Sequence, residues 1–431
     1  MKSFLTNLLR STLLRSTALI YSGTLINAGL TFVSSIILAR VIDPSGYGLF
    51  STALAILYVV NELTDLGVNP SVIRYAASYL QLGEVEKAKM TFRFALRSRI
   101  IITTTIVALG LIFTPYLAHY GLKTDALKPL LYLTFIGIIP LIIQSLFSTI
   151  FQSQQNFAAH VALSIGSGMM KFIFMLALLL WGHVSPIIAL TIFILSPIPA
   201  LLYCVFKIDL SLFRPTLSDP EVIREIKQFS IWMAVWAVFA IVQGQLDQFM
   251  VVRQLGAAAA GQYASANQLA SLSTFLIGAV GTVLNPRLSA YHIDQLKKAH
   301  RLMLAFAGGI LLIFAIITLL GSYFLPLLFG HRYQEAVVFF QVLMLGNFFF
   351  GCSVLPNAIL NSLKKPYIFT ITAIVGLLIT FIGNLYALPH YGTVGAAYTY
   401  DFVNASSFLI SFVSVAFLLS TKKSTQKMTA I

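Results

Sequence analysis

The sequence predicts an all-α membrane protein of about twelve transmembrane helices, arranged as two six-helix bundles related by a parallel repeat. Three observations carry this. Twelve apolar stretches are each long enough to cross a bilayer, which takes about 20 residues. The segments between them alternate between rich and poor in Lys and Arg. Motifs in the first half of the chain recur in the same order in the second.

Composition sets the class. The 431 residues are 58% hydrophobic and 10% charged, with a mean hydropathy of +0.87. Soluble domains carry about 25% charged residues. Twelve spans with short connections leave no room for a soluble catalytic domain. The net charge of +14 is explained by loop asymmetry and not by nucleic acid, since no basic motif interleaved with aromatics occurs. Of the 28 basic residues, 22 fall in or at the edges of the N-terminal tail, the even-numbered loops and the C-terminal tail. Arg40, Lys123, Lys128, Arg253 and Arg332 fall in or beside odd-numbered loops, and Lys171 falls inside a span. Basic loops stay in the cytoplasm because translocating them is disfavoured. Both termini are therefore expected there, with the positive surplus facing the anionic inner leaflet. Cys204 and Cys352 both fall in spans and read as small apolar residues, not as a disulfide or metal pair.

The spans are expected at 17–41, 47–70, 97–118, 129–152, 158–181, 185–206, 230–252, 259–286, 303–328, 335–361, 367–388 and 393–420. The first apolar run is too long for a signal-peptide core and lacks a clear cleavage site. Residues 1–16, with Lys2, Arg10 and Arg15 among Leu and Phe, read as an interfacial segment on the cytoplasmic surface. Spans one to six form the first bundle, 17–206. A polar stretch at 207–229, with Asp209, Arg214, Asp219, Glu221, Arg224, Glu225 and Lys227, reads as the cytoplasmic linker. The second bundle covers 230–420, and 421–431 is a cytoplasmic tail. The longest connections are 71–96, 207–229 and 287–302, all on the cytoplasmic side.

The repeat shows best after the first span. LARVIDPSGYGLFSTA around Arg40 resembles VVRQLGAAAAGQYASA around Arg253. Arg40, Gly48, Phe50 and Ala53 align with Arg253, Gly261, Tyr263 and Ala266 at one offset of 213. Asn69-Pro70 matches Asn285-Pro286, Pro115 matches Pro326, Pro140 matches Pro356, and IFQS at Ile150 matches ILNS at Ile359. Six spans per half make both halves enter the membrane in the same direction. That implies a pseudo-two-fold axis along the membrane normal with a cavity between the halves.

Charges inside spans are the candidate functional groups, since each costs about 2.5–3.5 kcal/mol at a span centre on insertion scales. Glu62 and Asp65 in the second span are three apart, with Asn61 beside them, near one helical face. Asp247 in the seventh span is flanked by Gln243, Gln245 and Gln248. Lys171 lies in the fifth span and Asp401, near Asn404, in the twelfth. Together they suggest a hydrated cavity with basic contacts for an anionic substrate and carboxylates for a coupling ion; helix-to-helix polar contacts are the alternative. Arg74 and Arg287, just after the Asn-Pro pairs, are candidates to meet a phosphate at the cytoplasmic mouth or to anchor the inner face. Arg40 and Arg253 read as structural. The four paired prolines remove backbone donors and suit helix kinks.

Signals for an enzyme are missing. No H-E-x-x-H, no His/Cys cluster at metal-ligand spacing and no G-x-x-x-x-G-K-[ST] loop occurs. No catalytic residue, metal or cofactor is expected.

LARVIDPSGYGLF resembles the A-R-x-L-G-x-x-x-Y-G-x-F signature of Wzx-type polysaccharide flippases, which move O-antigen and exopolysaccharide units and belong to the MATE-like superfamily. Asp247, Arg253, Leu255, Gly256, Gly261 and Tyr263 resemble its second-half counterpart. Ile42-Asp43 stands where the family often has Leu-Gly. The resemblance implies a multi-pass protein of the bacterial inner membrane. It would flip a lipid-linked oligosaccharide on undecaprenyl pyrophosphate to the outer leaflet by alternating access, coupled to H+ or Na+. Lys171, Arg74 and Arg287 would contact the substrate, and Asp247, Glu62, Asp65 and Asp401 the ion. Its partners would be membrane lipids and the polysaccharide polymerase and glycosyltransferases of the same route. A multidrug or organic cation exporter of the same fold is the alternative reading. A membrane glycan polymerase or ligase fits less well, because the outer loops are short and carry little charge.

Overall fold

The computed structural model describes residues 12–182, 184–208, 210–213, 219–289, 295–296, 303–363, 365 and 367–428. The side chains at 12–17, 210, 213, 232, 236, 279, 282–283, 285–287, 289, 304–305 and 421–428 are outside that description. The helices are α1 (Thr12–Val41), α2 (Pro44–Asp65), α3 (Val68–Gln81), α4 (Val85–Tyr116), α5 (Lys128–Ser153), α6 (Phe157–Trp181), α7 (Pro186–Leu195), α8 (Pro197–Val205), α9 (Pro220–Leu255), α10 (Ala257–Ser289), α11 (Met303–Phe329), α12 (Ala336–Ser362), α13 (Tyr367–Tyr391) and α14 (Thr393–Met428). No strand occurs among the described residues. Closed helices suit this composition, because hydrocarbon offers the backbone no other hydrogen-bond partner.

Among the described residues, 11 helical segments are long and apolar enough to cross a membrane. They coincide with eleven of the twelve expected spans. The remaining one, 259–286, falls on α10, which is helical along its whole length but includes side chains outside the description.

Two expectations change. The connection at 71–96 is mostly helix: α3 fills its first part, and α4 starts at Val85, a dozen residues before the apolar stretch. Polar i,i+3 pairs, Lys87 with Glu84 and Lys89 with Glu86, accompany this solvated extension. The sixth span is two helices, α7 and α8, split at Ser196-Pro197, where proline has no N–H to continue the ladder. The other prolines stay inside helices: Pro115 in α4, Pro140 in α5, Pro326 in α11 and Pro356 in α12. Pro115 is followed by a π-turn at Leu117–Gly121. Of the interfacial segment expected at 1–16, residues 12–16 belong to α1 and 1–11 lie outside the described residues, as does most of 287–302.

The chain divides into two units, Met1–Ile42 with Leu49–Ile241, and Asp43–Gly48 with Val242–Ile431. In the first, α5 is central and packs on α3, α4, α6, α7 and α8, while α1 packs on α6. Val72, Phe92, Ile150, Phe151, Leu163 and Cys204 form an apolar core. In the second, α12 is central and packs on α10, α11 and α14, and α13 packs on α14. Its core holds Leu355, Ile359, Leu360 and Val415. The repeat is therefore structural: Ile150 and Ile359, matched by IFQS and ILNS, are each completely buried in their own core. Exposed Ile100, Ile112, Phe113 and Leu319 face outward, as lipid requires.

Gly67, the residue just before α3, has φ 70, and a Cβ there would meet the Ser230 carbonyl and Met233. Only glycine meets both demands without strain. The same approach brings Ser71 Oγ to 2.7 Å from Ser230 Oγ.

Candidate functional site

The polar groups inside the spans gather in each unit on the helices just described. In the first unit, Lys171 projects from the middle of α6 toward α1. Its Nζ donates to Thr31 Oγ1 at 3.3 Å and lies 5.3 Å from the centre of the Phe193 ring. Cation–π contact of this kind is worth on the order of 1 kcal/mol or more when desolvated. Among the described residues no carboxylate lies within ion-pair distance of Lys171. One turn away, Gly168 packs against Asn27, whose Oδ1 is buried without a partner. Phe193 itself stacks edge-on against Phe50 at 5.1 Å, so the aromatic of the repeated motif backs the lysine's ring.

Asp65 and Glu62 separate. Asp65 is buried against Arg99, whose Nη2 donates to Asp65 Oδ1 at 2.6 Å. Arg99 also donates to the Ile142 carbonyl at 3.2 Å and to Ser145 Oγ at 3.2 Å. The Asn69 amide donates to Asp65 Oδ1 at 3.0 Å, and its Nδ2 donates to Ser145 Oγ at 2.9 Å. Arg99 is 2% exposed, so this pair ties α2, α4 and α5 together. Glu62 is exposed on the same helix. Helix rotation explains the split: at about 100° per residue, Asp65 lies between Asn61 and Glu62 around the helix axis. Asn61 turns inward and Glu62 outward.

Arg74 on α3 is exposed, with its guanidinium 4.9 Å from the Phe229 ring centre and 5.8 Å from that of Tyr75. Arg287 and the Asn285-Pro286 pair fall within α10, but their side chains lie outside the described residues.

In the second unit, Asp247 is 8% exposed in α9. Asn384 of α13 donates to its Oδ1 at 2.5 Å, and Tyr263 of α10 donates to its Oδ2 at 3.4 Å. Tyr263 is the repeat partner of Phe50. At the same offset Asp247 aligns with Ser34, whose hydroxyl donates to the Leu30 carbonyl. The second half thus carries a carboxylate and a phenol where the first carries a local hydroxyl and a phenyl ring. Asp401 of α14 packs against Gly346 of α12, where any Cβ would meet its Oδ1. That oxygen is buried without a partner. Beside it, Tyr400 donates to Asn347 Oδ1 at 2.7 Å, and Asn347 Nδ2 donates to Ser273 Oγ and the Ala270 carbonyl, each at 3.0 Å. Asp401 borders a largely apolar groove of about 470 Å³ lined by Gln341, Leu345, Phe349, Tyr398 and Phe402.

The candidate residues therefore fall into separate settings: Lys171 without a counter-ion among the described residues, Asp247 with two neutral partners, Asp401 beside a largely apolar groove, and Asp65 in an ion pair. Sequence reasoning missed Arg99, Asn384, Tyr400 and Asn347. Arg99 counted as a loop-edge cation, and the only signal available was its distance into α4. Neutral polar residues in apolar spans leave no signal until a partner helix is known.

Comparison with known proteins agrees with this architecture. A profile of the family described as "Polysaccharide biosynthesis protein" matches residues 13–292. A Shigella flexneri protein named for O-antigen transport is 26% identical over 84% of this chain and 88% of its own length. A multidrug resistance MATE family transporter of the MOP superfamily, solved in an inward-facing conformation, superposes with a TM-score of 0.79 at 14% identity, covering 93% of this chain and 96% of its own. The lipid II flippase MurJ superposes with a TM-score of 0.71 at 15% identity over 93% of this chain and 87% of its own. These structural likenesses establish a multi-pass helical membrane fold shared with that superfamily. With well over half of its length matched by the family profile, the chain belongs to the polysaccharide biosynthesis protein family.

Proposed function

We propose that this protein flips a lipid-linked oligosaccharide from the inner to the outer leaflet of the bacterial inner membrane, for building a cell-surface polysaccharide. The observation that carries the reading is Lys171, a lysine in mid-span with no carboxylate in reach among the described residues. An ammonium group there is costly without an anion. The pyrophosphate of undecaprenyl-pyrophosphate glycan would supply one. Arg74 and Arg287 would meet the same group at the cytoplasmic mouth. A sugar–pyrophosphate head group cannot enter hydrocarbon without losing its water, while its polyprenyl tail can stay in lipid. The bundles at 17–206 and 230–420, joined by 207–229, would rock to expose the path alternately, with both termini in the cytoplasm. Asp247, Asp401 and Glu62 are the candidate sites for H+ or Na+. Asp65, already neutralised by Arg99, takes a structural role. The protein does no bond chemistry on the glycan, and polymerase and glycosyltransferases would act before and after it.

The test is reconstitution in liposomes carrying fluorescent undecaprenyl-pyrophosphate oligosaccharide, with an impermeant glycosidase outside. Faster exposure than in protein-free liposomes, lost in Lys171→Ala, is expected. Exposure no faster than in protein-free liposomes overturns the reading. The Asp401 groove favours one alternative, an organic cation exporter, which predicts tetraethylammonium or ethidium efflux in the same vesicles.

A further inference from the structure

In the first unit α2, α5 and α6 line an open cavity of about 230 Å³ to which no role in transport has been assigned. Its polar lining is Asn61, Gln144, Ser145, Ser148, His160 and Ser164, and Leu141 and Leu163 supply apolar wall. These side chains present both donors and acceptors. Ser145 Oγ accepts from Asn69 Nδ2 and from Arg99 Nη2. A hydroxyl that accepts twice still has its own proton to give, and no hydrogen bond donated by Ser145 Oγ occurs among the described residues. Asn61 Oδ1 is a buried acceptor with no donor. Ser148 Oγ and His160 Nδ1 are 2.8 Å apart, and Gln152 Nε2 approaches His160 at 3.2 Å, which fixes the imidazole against the wall.

Charge decides what kind of ligand fits. Arg99, which donates to Ser145 from behind, is neutralised by Asp65. No carboxylate, lysine or arginine lines the cavity itself. A phosphate would find no cation, and an organic cation no anion. A ligand with several neutral groups that each donate and accept would satisfy Ser145 and Asn61 together, and a buried polar atom left unmatched, as Asn61 Oδ1 is, is destabilising. A sugar ring has such hydroxyls on its rim and C–H surface on its face, matching the leucines. The volume is below the roughly 300–1,000 Å³ of drug-sized sites, which suits one ring and not an oligosaccharide. On the basic-loop reading, the ends of α2, α5 and α6 that form the cavity lie toward the cytoplasm, where the glycan starts.

We propose that the cavity between α2, α5 and α6 is a binding subsite for one neutral sugar ring, held by Asn61, Ser145, Ser148 and Ser164. It rests on the flippase reading for its role in transport but not for its test. The full chain in nanodiscs would be photolabelled with diazirine-bearing methyl glycosides of hexoses and N-acetylhexosamines, followed by peptide mapping. Labelling on peptides spanning 141–148 or 160–164 is expected. Excess unmodified glycoside should compete it, and inorganic phosphate and tetraethylammonium should not. Ser164→Leu, which fills the cavity and breaks no hydrogen bond seen here, should cut labelling at least fivefold at an unchanged melting temperature; Gln144→Leu is the second variant. Absence of labelling at these peptides, labelling competed by phosphate or tetraethylammonium, or labelling undiminished in both folded variants overturns the proposal. The liposome assay reports separately on flipping. Wild-type flipping without labelling removes the subsite alone, and labelling without flipping removes the transport reading alone.

Discussion

Gly48 and Gly261, the glycines aligned by the internal repeat, face each other within the second unit, backbone against backbone. A Cβ on Gly48 would overlap the Ala257 carbonyl, and one on Gly261 would overlap the Pro44 carbonyl. Neither glycine has a positive φ, so closeness and not backbone conformation requires glycine at both. Close approach of small residues is how membrane helices gain packing when lipid gives no hydrophobic push. The repeat has kept one glycine from each half for a single contact.

Gly261→Leu should therefore destabilise the protein by about 3 kcal/mol or more, because the obstruction is backbone and cannot rotate away. Gly29, with open space around its Cβ position, is the control. Thermal unfolding in detergent should show a large drop for Gly261→Leu and little change for Gly29→Ala. Equal melting of the two would refute the contact.

The Asp65–Arg99 pair predicts a non-additive pattern. Arg99→Met leaves a buried carboxylate unpaired and should cost about 3–5 kcal/mol. Adding Asp65→Asn removes the stranded charge and should recover most of that loss. A double variant no more stable than Arg99→Met would show that Arg99 acts through something other than Asp65.

Asp247 and Asn384 predict a functional loss without a structural one. Asp247→Asn keeps the shape and removes the charge, so flipping should fall at least tenfold while melting is unchanged. Tyr263→Phe should matter less, a few-fold at most, because its bond at 3.4 Å is long beside the 2.5 Å contact from Asn384. Undiminished flipping by Asp247→Asn in liposomes would remove the ion-coupling role.

Lys171 gives stability and transport opposite signs. Lys171→Met removes a desolvated charge and keeps the stem, so the protein should melt no lower than wild type. Flipping should still fall at least tenfold, and Lys171→Arg should retain part of it. A variant that melts lower yet flips normally would make Lys171 a structural residue held by Thr31 and Phe193.

The particulars of the repeat were legible before any fold. Phe50 and Tyr263, Ala53 and Ala266, and Ile150 and Ile359 align in sequence, and each pair is buried. What the alignment hid is the asymmetry built on it. Phe50 leads through Phe193 to Lys171, whereas Tyr263 leads to Asp247. The cation and the carboxylate thus follow equivalent aromatics in different units. Spacing suggested that Asn61, Glu62 and Asp65 share a face. Small angular differences instead sent them to a cavity, to the exterior and to an ion pair.

By itself the sequence determined the membrane class, the span positions, the repeat and the charged candidates. Each depends on local hydropathy, on charge counted over whole loops, or on matching order, and none needs a partner helix. Only the tertiary structure decided which charges are paired. The partners Arg99, Asn384 and Thr31 come from other helices, 34, 137 and 140 residues away. Their meeting depends on helix rotation and packing depth, and neither is written in the spacing along one chain.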